Sequence, residues 1–324
     1  MVTHCYKYPK HSMVFCDSEE KKNIPKPPDQ PIKRGEQSMI DLKKISKNTI
    51  APPRIVIYGP PGVGKTTFAA MSENPIFILI EEGLGDLDVP AIPIDETGKP
   101  RVATSFNEVI DCFAALGEQE HDYKTVVIDS LDALEQLIWA STCRRMGYAS
   151  IEAPGWGKGY REANTEWKEF FDCVSALRDD KGMTIIMIAH STYTHIDDPE
   201  RPAYDTNTLN IHKYAIPIIV GTVDIVGFAT QKIYTKADDI AGKKDDKRIR
   251  AIAGAERELR LSISPAFTAK NRYHMPEVVP LDWEEFEKHL PGYVAPTATS
   301  NQLTNATVPT AEQTTKKSSK KGVN

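Results

Sequence analysis

The stretch "GPPGVGKT", Gly59 to Thr66, constrains this chain more than any other, because it joins an apolar run to an amphipathic one. "RIVIYG" before it reads as a buried strand, and "KTTFAAM" after it opens a helix. Glycines at 59, 62 and 64 let the backbone curl until successive N–H groups face one point. The following helix turns its positive end toward that point. A strand, a loop of this composition and a helix make a phosphate cradle, drawn here from Gly59, Pro60, Pro61, Gly62, Val63, Gly64, Lys65, Thr66 and Thr67. Lys65 is expected to reach the β- and γ-phosphates, and the Thr66 hydroxyl to ligate Mg²⁺. ATP and Mg²⁺ are the expected cofactors.

A phosphate cradle needs a carboxylate for the metal. "TVVIDS" supplies one, with an apolar strand ending in Asp129. Around these two motifs, short β-rich runs alternate with amphipathic stretches, which predicts an α/β fold with a mainly parallel sheet flanked by helices. "PIFILIE" and "TIIMIAHS" read as further strands, and "SFNEVIDCFAALGEQ" as a helix opened by a Ser cap. After "TIIMIAHS" a long polar loop is expected to about Leu209, then a helix near "HKYAIPIIVGT". Beyond that, "VDIVGFATQKIYT" and "ERELRLSIS" alternate like antiparallel or edge strands.

The ends differ in composition. Residues 1–38 are polar and rich in Lys and Pro, and read as a flexible arm. His4, Cys5, His11 and Cys16 lie in it at a spacing that fits no common zinc site. Residues 294–324 are rich in Thr, Ser, Ala and Asn with a basic tip, and read as a disordered tail. One domain, 50–293, lies between. Five scattered cysteines argue against a disulfide framework and for a reducing, cytoplasmic setting. A net charge of −5 means that any contact with nucleic acid must come from local patches.

The carboxyl end of "FILIEEGLGD" places Glu81 and Glu82 where a carboxylate can polarise an attacking water. Here the sequence resembles the RecA-fold ATPases, whose corresponding strand ends in an acid-Gly turn carrying the catalytic Glu. Glu82, followed by Gly83, is the better match, with Glu81 second. The resemblance implies a γ-phosphate sensor at the end of the strand after Asp129, a position held here by His190. It implies two strand-binding loops, at "APGWGKGYR" and "STYTHIDDPERPAYDTNTLNIHK". In them Trp156, Lys158, Tyr160, Arg161 and Arg201 combine faces for base stacking with cations for phosphates. Late in the core, "KNRYH" is similar to the Lys-Asn-Arg-aromatic-Gly motif of RadA-type proteins, though it lacks the Gly. Lys270 and Arg272 are then the cations offered across a subunit interface, which implies a homo-oligomer, ring or filament.

The overall pattern over 50–293 resembles the phage-encoded, core-only RecA-like ATPases within the broad AAA-type group. That resemblance implies action on single-stranded DNA in phage recombination or strand annealing, together with a single-strand-binding protein. A helicase loader or motor, and an ATP-gated protein switch without DNA, stay open as alternatives. A GTPase reading is weak, because "DIVG" (Asp224–Gly227) and "TKAD" (Thr235–Asp238) almost touch, leaving no room for the sheet between them. A small-molecule kinase is also disfavoured, since "ERPAYDTNTLN" carries a single Arg where a lid needs several.

Overall fold

The computed structural model describes residues 50–199, 202–239 and 247–292. The expected arm 1–38, the tail 294–324, the His4–Cys16 group and Arg201 lie outside these residues. In chain order the elements are β1 (Arg54–Gly59), α1 (Lys65–Ala70), β2 (Pro75–Leu79), β3 (Ala91–Ile92), α2 (Phe106–Glu118), β4 (Thr125–Asp129) and α3 (Leu131–Met146). There follow α4 (Lys158–Glu162), α5 (Asn164–Asp180), β5 (Thr184–Ile196), β6 (Tyr204–Leu209), α6 (Ile216–Thr222), β7 (Ile225–Asp239), β8 (Lys247–Arg260), β9 (Lys270–Asn271), β10 (Val278–Pro280) and α7 (Trp283–Glu287).

The expected α/β class is what forms. The sheet runs β10-β8-β7-β1-β5-β4-β2-β3, parallel from β7 to β3, with β8 and β10 antiparallel at one edge. Its central strands are apolar on both faces because helices cover both. Val56 and Tyr58 of β1 join Ile185 and Met187 of β5 under α2, α3 and α5. Ile55 and Ile57 point the other way, packing with Phe68 of α1 and with Trp283 and Phe286 of α7. That two-sided burial is why these strands read as continuous apolar runs. The predicted Ser cap is present, with the Ser105 hydroxyl accepting the Glu108 backbone N–H at 3.3 Å and opening α2.

The segment after His190 corrects one expectation. It forms a hairpin, in which β5 continues to Ile196 and pairs with β6 from Ser191↔Leu209 to Ile196↔Tyr204. "STYTHI" alternates β-formers without an apolar face, so periodicity reads it as loop although its backbone is fully laddered. "DIVG" runs into the start of β7 from Asp224, just before it, and "TKAD" lies on the same strand. Cys112, Cys143 and Cys173 are free thiols. Among the described residues no helix is long and apolar enough to cross a membrane.

The end of the sheet away from the phosphate loop is held by charge. Buried Asp224 accepts from the Arg54 backbone at 3.0 Å, from the Arg54 side chain at 3.3 Å and from Arg272 Nη1 at 2.8 Å. Burial pushes its carboxyl up, but the bonds from Arg54 and Arg272 outweigh burial and hold it below the ordinary carboxylate range. Removing the acid leaves the Arg54 guanidinium largely desolvated without its partner, so Asp224→Ala should cost about 3–5 kcal/mol in urea unfolding. The contribution is complete above about pH 4 and is lost as pH falls through the depressed folded value. The gap between wild type and variant should therefore narrow in acid.

Candidate functional site

Strand β5 lies between β1 and β4, in a register that sets Gly59 opposite His190 and Asp129 opposite Ile188. The ends of β1, β5, β4 and β2 therefore converge on one cleft of about 580 Å³. It is lined by the phosphate loop, Glu81, Glu82, Asp129, His190 and Arg257, among others. Gly59 has to be glycine, since a Cβ there would sit 2.2 Å from the Ala229 carbonyl oxygen. At Gly64 the backbone φ is +104°, in the left-handed region that favours glycine.

Lys65 is buried, and its ammonium donates to the carbonyls of Gly59 at 3.0 Å and Pro60 at 3.1 Å. Burial lowers its pKa, opposed by the charges of Asp129, Asp132 and Glu81. Thr66 Oγ1 donates to Asp129 Oδ2 at 3.0 Å, so the two expected metal ligands already touch. Burial drives the Asp129 carboxyl up to about 6. A hydroxyl and an acid desolvated at this cost, beside a phosphate loop, are a donor set that suits hard Mg²⁺.

His190 is anchored twice by Asp132, through its backbone N–H at 3.0 Å and its Nδ1 at 2.8 Å. Asp132 is in the first turn of α3, three residues past Asp129, and sequence reasoning passed over it. Its only signal was a second acid in "VIDSLD". Ligand atoms of Glu81, Asp132 and His190 lie within 4.8 Å of one another. Glu81 is half-buried and faces this group, while Glu82, the acid preferred from sequence, is exposed. A Cβ on Gly83 would come 3.7 Å from Asp129 Oδ2, so the turn after the two acids lies close to the Asp129 carboxylate.

The remaining expected residues are scattered around the site. Trp156 is 96% exposed at φ +51°, between Gly155 and Gly157, both also at positive φ. Lys158 is exposed at the start of α4. Tyr160 stacks on His212 with ring centroids 3.9 Å apart, and Arg161 donates to the Tyr214 hydroxyl at 2.9 Å. Lys270 and Arg272 lie at the opposite end of the sheet from their own phosphate loop. Lys270 Nζ donates to the carbonyls of Val220 at 2.5 Å and Gly221 at 3.2 Å, capping α6, while Arg272 holds Asp224. Arg257 was also missed. Its signal lay in the alternation of "RELRL", which puts it on the same face as two buried leucines.

A family model described as an AAA domain matches residues 51–273, which takes in the phosphate loop, Asp129, His190 and the Lys-Asn-Arg segment. No curated protein matches the chain.

The carboxyl of Asp129 ionises near pH 3.9 in an unfolded chain but near 6 in the fold, so folding loses stability as pH rises through that window. Asp129→Asn should therefore stabilise the nucleotide-free protein at pH 8 by about 1–3 kcal/mol and change little at pH 4. Thermal melts at the two pH values check this, and hydrolysis should be lost in the same variant.

Proposed function

The chain belongs to the AAA domain family of nucleotide-binding ATPases, and on that premise we propose that it is a Mg²⁺-dependent ATPase acting on single-stranded DNA. What carries the reading is the convergence of Lys65, Thr66, Asp129, Glu81 and an Asp132-anchored His190 on one cleft. The loop amides and Lys65 bind and orient the triphosphate. Thr66 and Asp129 would hold Mg²⁺, which neutralises charge on the β- and γ-oxygens. Glu81 is the acid assigned to orient the attacking water, in preference to Glu82, because it faces His190 and Asp132. With Nδ1–H given to Asp132, His190 offers its other ring nitrogen to the cleft, and as imidazolium it donates to a phosphate oxygen.

The DNA part of the proposal is supported by Trp156. A large aromatic held in a left-handed backbone and left 96% exposed is costly to keep without a ligand. Exposed Lys158 two residues on suits a strand phosphate, and Tyr193, 76% exposed on the β5–β6 hairpin, offers a second stacking face. A role in phage recombination or strand annealing, with a single-strand-binding protein, is proposed from the RecA-like resemblance. A homo-oligomer in which Lys270 and Arg272 serve a neighbour's site is proposed from the motif, and both side chains would have to leave their present partners to do so.

One set of assays tests these assignments. Wild-type hydrolysis should rise with single-stranded DNA, and the stimulation should fall steeply with salt. Trp156→Ala should weaken strand binding by about 1–3 kcal/mol and leave basal hydrolysis intact. Hydrolysis indifferent to DNA would favour the protein-switch alternative. Glu81→Gln should lower kcat by about 10²–10⁴-fold with nucleotide affinity retained, and Glu82→Gln should not. Sedimentation with ATP should show an assembly that lengthens with the DNA strand. A ring of fixed mass would favour the loader or motor, and a persistent monomer would remove the oligomer.

A further inference from the structure

Apart from Lys65, every group assigned so far to the γ-phosphate end stands on one flank of β1. His190 comes from β5, Asp129 from β4 and Glu81 from the end of β2. Arg257 reaches the same cleft from the other flank, on β8 beyond β7. Leu259 and Leu261 are fully buried beneath α1 and α7, and the period of two along a strand puts Arg257 on their face. Because β8 runs antiparallel to β7, each step back along β8 moves toward the carboxyl ends of the parallel strands, where the phosphate loop lies. The Arg257 carbonyl accepts the Leu281 N–H at 3.0 Å, which pins the backbone beneath the side chain.

The guanidinium lies against the phosphate loop itself. Nη1 lies 2.7 Å from the point where a Cβ on Gly64 would stand, so the guanidinium sits directly over the loop at that glycine. Arg257 is exposed, and among the described residues no acid pairs with it. The neighbouring acid Glu258 is taken by Arg260, at 2.7 Å. A planar, permanently charged fork, with no acid paired to it among the described residues, therefore lies over a loop of the kind whose amides cradle α- and β-phosphates.

We propose that Arg257 binds the α- and β-phosphates of the nucleotide held in its own subunit. The proposal rests on the ATPase reading and adds to it a nucleotide-binding cation supplied in cis. The assignment to α and β follows from position. Gly64 belongs to the part of the loop that cradles those two phosphates, and Glu81, Asp129 and His190 approach from the far side of β1. Arg257 thus discriminates for a diphosphate, common to ADP and ATP, and is indifferent to whether the γ-phosphate is present.

The test compares the full chain with Arg257→Gln and Arg257→Lys, titrating fluorescent ADP and fluorescent ATP in the presence of Mg²⁺. For Arg257→Gln, Kd should rise about 10–100-fold for both nucleotides, with the nucleotide-free melting temperature unchanged. Arg257→Lys should recover part of the loss, since it keeps the charge but not the fork. Unchanged affinity in Arg257→Gln would overturn the proposal. A loss confined to ATP would also overturn it, by placing the guanidinium at the γ-phosphate. Wild-type protein that binds neither nucleotide would refute the ATPase reading itself, and the role of Arg257 with it.

Discussion

The pairing of β5 with both β1 and β4 is the constraint on which the site depends. Parallel hydrogen bonding fixes Gly59 beside His190 and Asp129 beside Ile188, so the phosphate loop and the Asp129 carboxylate stand one strand apart. That gap is filled by the end of β5, and His190 occupies it. Were β4 paired directly with β1, no residue could stand between the loop and Asp129. The same order brings the end of β2 beside β4, where Ile80 and Glu81 donate their N–H groups to the Asp129 carbonyl at 2.8 and 3.2 Å. Backbone geometry thus delivers the acid to the cleft before any side-chain contact is made.

The fold bears a cost to hold this cleft. Lys65 and Asp129 are desolvated, and burial moves each toward its neutral form. The surrounding strands offset that cost. Ile55, Val56 and Ile57 of β1 are wholly buried, and each such side chain contributes about 1.5–3 kcal/mol. The opposite end of the sheet solves a different problem. There Asp224, as buried as Asp129, is surrounded by guanidinium groups and stays ionised. Two buried aspartates, at opposite ends of the parallel sheet, are driven in opposite directions by what surrounds them. One is poised to take a cation, and the other is already satisfied.

Much of this was legible in the residues. The glycines of "GPPGVGKT", the acid ending "TVVID" and the Ser cap of α2 are local devices whose chemistry lies within a few positions, and the structure forms the elements they imply. The β5–β6 hairpin was hidden because a ladder solvated on both sides has no apolar period to display. Glu81 and Glu82 are adjacent, so only the direction in which the strand end turns distinguishes them. Asp132 and Arg257 were missed for a related reason. Asp132 is an ordinary charged residue until β5 sets His190 against it, and Arg257 is one until β8 brings it to the phosphate loop.

The sequence by itself therefore determined that this chain sets a phosphate-type loop between a strand and a helix of an α/β fold. Spacing along the backbone sets those local geometries, and no distant contact is needed to form them. The tertiary structure alone decided which strand stands between loop and acid, which glutamate faces inward, and that Arg257 meets Gly64. It also placed Lys270 and Arg272 on α6 and Asp224, at the end of the sheet away from the cleft. Those outcomes depend on strand order and on which side of the sheet a chain crosses. Such choices are settled by the packing of whole layers, and no short stretch of residues records them.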